Sequence, residues 1–140
     1  MTPGPLERLV YCSRSRVPTD SLLVIADILA VAHRNNERDG LTGALAVSQT
    51  WFLQVLEGRP AAIDSLMRRL ERDPRHCDLV ILSRAPAARR LFTGWSMASA
   101  RITPSIASDL VELINECRVD PDAATAALLR IVTAADQSRV

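Results

Sequence analysis

Apolar positions along this chain change period several times, and each change marks an element. From Leu6 to Ser13 they alternate, with Leu9 and Tyr11 on one face and Val10 and Cys12 on the other, which predicts a strand. Val17-Pro18-Thr19-Asp20 interrupts this run and offers helix caps. Leu22, Ile25, Ile28, Leu29 and Ala32 then recur at helical spacing and predict an amphipathic helix ending near His33 to Asn36. After Asp39-Gly40, Leu41 to Val47 reads as a strand with one glycine, Gly43, a place for another group to approach closely. Ser48-Gln49-Thr50 turns it back into Trp51 to Glu57 as a hairpin. Pro60 suits the first turn of a second helix, striped by Ile63, Leu66, Met67 and Leu70 and stopped by Asp73-Pro74. Asp78 to Ser83 is a short β-rich run, and a last strand runs from near Trp95 to Ile102.

That order predicts an α+β domain over residues 1–103, a ferredoxin-like βαββαββ plan with a mixed sheet and two helices on one face. Residues 104–140 differ in character. Ile106, Leu110, Leu113, Ile114 and Cys117 make one helical stripe, and Asp120-Pro121 caps another helix holding Leu128, Leu129 and Val132. The sheet pattern is complete without them. The expectation is a C-terminal helical extension packed on the domain and covering the free face of the sheet.

Composition narrows the function by exclusion. The 140 residues carry a net charge of +1, so no overall field draws the chain to nucleic acid or to a membrane. Its arginines are scattered among acidic residues and read as solvated surface. No apolar stretch approaches the roughly 20 residues of a spanning helix, and the start lacks a signal-peptide pattern. Cys12, Cys77 and Cys117 are far apart, with no metal-ligand spacing, and fit free thiols in a cytoplasmic protein. No nucleophile elbow, phosphate loop or metal cluster is present, so no enzyme is expected. His33 and His76 read as helix-end or surface residues.

A few polar residues ask for an explanation. Gln54 lies mid-strand in a run apolar on both faces, where an unpartnered amide costs about 1–3 kcal/mol. It either pairs with a neighbouring hydroxyl or serves a bound polar ligand. Tyr11, the one tyrosine in the chain, is either an ordinary core residue or the partner of Gln54 if their strands adjoin. Asn35 and Asn36 either cap the first helix or match the alternating donors and acceptors of a heterocyclic ring edge. Trp95 and Met97 share one strand face, filling core or packing on an aromatic ligand.

Taken together, Leu9-Val10-Tyr11-Cys12-Ser13, Asn35-Asn36 ahead of Leu41-Thr42-Gly43-Ala44-Leu45, Phe52-Leu53-Gln54-Val55-Leu56-Glu57-Gly58 and Phe92-Thr93-Gly94-Trp95-Ser96-Met97 resemble the BLUF family, the domains that sense blue light using flavin. The resemblance covers roughly Leu6 to Ile102. It implies a ring wedged between the two helices, with non-covalent FAD as the usual cofactor. Asn36 would hold the ring's carbonyl and imide edge with Asn35 beside it. Arg69 and Asp73 would lie near the polar edge, and Ile28 and Leu70 would flank the ring. Tyr11 and Gln54 would be the photoactive pair, with Trp95 or Met97 as the neighbours that feel the change. The implied partners are flavin, a second copy of the chain and an unidentified downstream signalling protein. Two rivals share the topology, a regulatory module binding a small metabolite and a dimerisation or adaptor domain. Neither accounts for Gln54, Tyr11 and Asn36 together.

Overall fold

The central strands are buried on both faces, so alternate residues of each serve two different packing layers. A computed structural model describes residues 5–15, 22–48, 51–72, 76–92, 98–101 and 120–137, with the side chains of 15, 22–29, 32, 46–48, 51, 76, 98–101 and 131–137 outside that description. The elements are β1 (Glu7–Ser15), α1 (Leu22–Asp39), β2 (Thr42–Ser48), β3 (Trp51–Gly58), α2 (Pro60–Arg72), β4 (His76–Pro86), β5 (Ala98–Arg101) and α3 (Pro121–Gln137). They build one sheet in the order β4-β1-β3-β2-β5. β4, β1, β3 and β2 are antiparallel neighbours, and β5 joins β2 in parallel, which gives the expected mixed ferredoxin-like sheet.

Leu9, Tyr11 and Leu56 on one face of the sheet pack with Leu41 and with Ile63, Leu66 and Met67 of α2. The opposite face buries Val10, Cys12, Leu53 and Val55. α3 packs against β2 and β5, burying Ala124 and Leu128. Its N-cap is Asp120, whose carboxylate accepts the Ala123 N–H at 3.0 Å, with Pro121 at the first helical position as the sequence suggested. The expected helix over Ile106 to Cys117 lies outside the described residues.

Two local expectations need revision. α1 runs to Asp39, three residues past the anticipated end. Gly40 at φ +70° ends it, with the Leu41 N–H bonded to the Asn36 carbonyl at 2.8 Å and the Gly40 N–H to the Glu37 carbonyl at 3.4 Å. That is a Schellman termination, and Leu41 just beyond it is buried in the core. β4 is 11 residues long rather than a short run. It is an edge strand whose pairing with β1 shifts register twice, and Asp78 adopts a positive φ of 53° within it. Val80 and Ile81 are exposed, so the strand shows no clean alternation for the sequence to reveal. Of the last strand, Ala98–Arg101 is described, within the range expected.

Gly43 is where the sequence asked for a close approach, and the approaching group is the Val55 carbonyl, which leaves no room for a Cβ. One further contact organises the second face. The Glu57 carboxylate is wholly buried, accepts from Arg8 Nε at 2.9 Å and forms an ion pair with Arg8 Nη2 at 2.9 Å. It also accepts the Leu91 N–H at 2.9 Å and the Phe92 N–H at 2.9 Å. Arg90 donates to the Glu57 carbonyl and to Thr42 Oγ1, at 2.9 and 3.0 Å. A single carboxylate thus latches the segment after β4 onto β1, β2 and β3. Glu57→Ala should lower stability by about 3 kcal/mol, because buried donors lose their acceptor. Urea denaturation measures this, and Glu57→Gln, which keeps one acceptor oxygen, should lose less.

Candidate functional site

Antiparallel pairing of β1 and β3 sets Tyr11 directly opposite Gln54. Both side chains are buried, at 3% and 7% exposure. The Tyr11 hydroxyl donates to Gln54 Oε1. Of the two explanations open for Gln54, pairing with a neighbouring hydroxyl is therefore realised, and that hydroxyl is tyrosine's. A glutamine amide has an acceptor end and a donor end, so engaging the oxygen with Tyr11 leaves the NH2 as the donating end. On its other side Gln54 faces Leu45 of β2.

Asn36 is the other buried amide, at 1% exposure. Because α1 continues to Asp39 and is closed by Gly40, neither Asn35 nor Asn36 is its cap. Capping was the bland account of the pair, and the structure removes it. One turn on, Asp39 meets Arg69 of α2 at 3.1 Å and Arg38 at 2.9 Å. The hydrogen bond from Arg38, aided by Arg69, holds the Asp39 carboxyl below its ordinary value. The Asp39–Arg69 pair fastens the end of α1 that carries Asn36 to α2. Arg69 Nη1 also reaches Ser65 Oγ at 3.4 Å, while its Nη2 is buried with no hydrogen-bond partner among the described residues. Leu70 is partly buried against the core.

Asn36, Arg69, Tyr11 and Gln54 thus share the helix-covered side of the molecule. The side chain of Ile28 and all of Asp73, Trp95 and Met97 lie outside the described residues. Two features escaped sequence reading. One is the Glu57 latch, hinted at by a carboxylate closing the apolar run Phe52 to Leu56. The other is Ser13, 1% exposed, whose Oγ is the second buried side-chain atom without a partner among the described residues. Its signal was the same period-two alternation that aligned Leu9 with Tyr11. The histidine His33 is exposed and lies 3.6 Å from Glu37, as a surface reading has it.

The family profile described as BLUF, sensors of blue-light using FAD, matches residues 6–98. This chain belongs to the BLUF family. Over 98 residues it is 34% identical to photoactivated adenylate cyclase subunit alpha-like protein FB of Euglena gracilis, covering 69% of this chain and 10% of that protein. The chain therefore spans about a tenth of the length of such curated relatives. Among solved structures it resembles BlrB, a BLUF protein in its dark state, with a TM-score of 0.75 and 31% identity over 89% of this chain and 96% of that one. It also resembles Klebsiella pneumoniae BlrP1, solved with FMN and cyclic diGMP, with a TM-score of 0.63 and 32% identity over 79% of this chain and 30% of that one. BLUF domains are flavin-binding sensors. Among the described residues no helix is long and apolar enough to cross a membrane.

The Asp39 clamp generates a pH prediction. A carboxyl held below 3.8 in the fold stabilises it fully above the unfolded value, and that contribution is lost as pH falls through the lowered folded value. Because Asp39 is partly solvated, Asp39→Asn should cost under about 1 kcal/mol at pH 7. Below 3.8 the gap to wild type should close, as urea midpoints at neutral and acid pH will show.

Proposed function

We propose that this BLUF domain binds FAD non-covalently between α1 and α2 and signals by rearranging the Tyr11–Gln54 hydrogen bond. The observation that carries the reading is that bond itself, made inside the helix-covered face by register partners on adjacent strands. The residues fit a flavin. The orphaned Arg69 Nη2 is a buried cation donor in want of an acceptor, and the buried Asn36 amide suits a ring edge of alternating acceptors and donors. Asn35 would stand beside Asn36, Asp73 near Arg69, and Ile28 and Leu70 against the ring, as the family resemblance implies.

A bound oxidised flavin supplies blue absorption and, once excited, an acceptor for an electron and a proton. Tyr11 is the donor of both. Its phenol gives up an electron, and the hydroxyl proton leaves along the hydrogen bond to Gln54 Oε1. Electron and proton return to Tyr11, and Gln54 is left rotated or tautomerised. The amide then offers the ring a different bonding group without any movement of β3. Burial keeps water from competing for either partner. Trp95 and Met97 are the proposed neighbours that register the change.

The chain acts as a sensor rather than a catalyst, in the cytoplasm. Its BLUF unit spans residues 1–103, and residues 104–140 pack on it as a helical extension. Signal passes through a homodimer, built on the outer surface of the extension or the sheet edge, to a separate signalling protein. Truncation after Ile102 should expose the second sheet face and cause aggregation, read by light scattering. A truncated chain that stays monodisperse and equally stable removes the packed extension.

Denaturing the purified protein should release a yellow chromophore that chromatography identifies as FAD. Recovery of FMN instead would correct the cofactor, and a colourless protein that takes up no flavin would remove the reading. Gln54→Leu matches the bulk but has no amide, and Tyr11→Phe lacks the phenolic proton. Both variants should stay yellow and lose the reversible red shift in a light-minus-dark spectrum. A normal shift in Gln54→Leu would exclude Gln54 from the mechanism.

A further inference from the structure

Ser13 is buried to 1% exposure, yet its hydroxyl has no hydrogen-bond partner among the described residues. A buried hydroxyl left unpaired is a standing cost to the fold, so its presence in a well-packed face needs a cause. Its position in the strand indicates one. β1 pairs with β3 without interruption from Glu7 to Arg14, so Ser13 shares the face of Leu9 and Tyr11. It sits opposite Phe52 and diagonal to Gln54, a relation that sets residues about 7–8 Å apart, with their Cβ atoms somewhat closer. That is too far for a short hydroxyl to reach the amide in its present arrangement, but it borders the same buried space.

We infer that Ser13 is a ligand-contacting residue of the flavin site, its hydroxyl hydrogen-bonding a heteroatom of the bound ring system next to the Tyr11–Gln54 pair. The inference rests on the flavin reading and goes beyond it. It assigns a contact to a side chain whose only oddity is an unmet hydrogen bond. It also has a consequence that a structural serine lacks. Without ligand the hydroxyl is a liability to the fold, and with ligand it is an asset to binding. Removing it must therefore move stability and affinity in opposite directions.

The experiment uses the full chain freed of flavin, with FAD added back and followed by quenching of flavin fluorescence. Flavin-free Ser13→Ala should unfold at a urea midpoint equal to or above wild type. Its dissociation constant for FAD should rise roughly tenfold, the loss expected of one hydrogen bond. Ser13→Thr, which keeps the hydroxyl, should bind within a few-fold of wild type. Ser13→Ala binding as tightly as wild type would overturn the inference alone, leaving the flavin reading intact. Loss of stability in flavin-free Ser13→Ala would also overturn it, since the hydroxyl would then have a structural partner. So would unchanged affinity with a shortened light-state lifetime, which would make Ser13 a resting place for the reoriented amide. A wild-type chain that takes up no FAD would remove both readings together.

Discussion

Everything in the site depends on the register of β1 against β3. Tyr11 and Gln54 meet because those strands pair antiparallel with Leu9 opposite Leu56 and Val10 opposite Val55. A slip of one residue would carry the tyrosine to the other face and leave a buried amide without its hydroxyl. Several independent constraints fix the register. Leu9 and Leu56 must both reach the α2 core, Arg8 must lie beside Glu57, and β2 must approach β3 closely at Gly43. No single contact needs to be strong when each of these fails together with the others.

The two faces of β3 treat polar groups in opposite ways. Glu57 on one face is surrounded by donors from Arg8, Leu91 and Phe92, and a fully satisfied buried carboxylate makes a rigid clasp. On the helix-covered side the Gln54 oxygen is engaged by the Tyr11 hydroxyl, while Ser13 Oγ and Arg69 Nη2 have no partner among the described residues. The first arrangement suits scaffold, because any change breaks several bonds at once. The second suits exchange, because a small rearrangement trades one bond for another of similar strength. Burial makes that trade count, since a polar group cut off from water has few alternatives.

Legibility in the sequence followed the same division. Strand faces and helix stripes were readable wherever one side is buried and the other solvated, and α2 begins at Pro60 and ends before Asp73-Pro74 as the pattern required. The buried strand β3 betrayed its site through one amide in an apolar run. β4 was misjudged in length because an edge strand exposes residues on both faces and its bulges break the period. The end of α1 was set short because Asn35 and Asn36 look like a terminus, whereas the Gly40 motif downstream decides it. The Glu57 clasp was hidden for a different reason. Its donors lie 34 and 35 residues away in an irregular segment, and backbone N–H groups leave no mark in a sequence.

How a change at Gln54 leaves the site is constrained by the sheet. Gln54 faces Leu45 across β3 and β2, and Leu45 in turn faces Ser99 of β5, the edge strand against which α3 packs. The amide is therefore two strands from the edge of the sheet. Contiguity does not make coupling; a two-state element must exist whose balance the site can bias. In the proposed mechanism the amide is that element, since its two ends offer opposite hydrogen-bonding character in nearly the same volume. Trading one buried hydrogen bond for another differs by about 1 kcal/mol or so, and couplings of 1–3 kcal/mol shift populations by 5- to 150-fold. A difference of that size is too small to remodel the latched face around Glu57. It is large enough to bias a short edge strand that, among the described residues, is held by β2 on one side and by α3 across its face, which is where the proposed signal would have freedom to act.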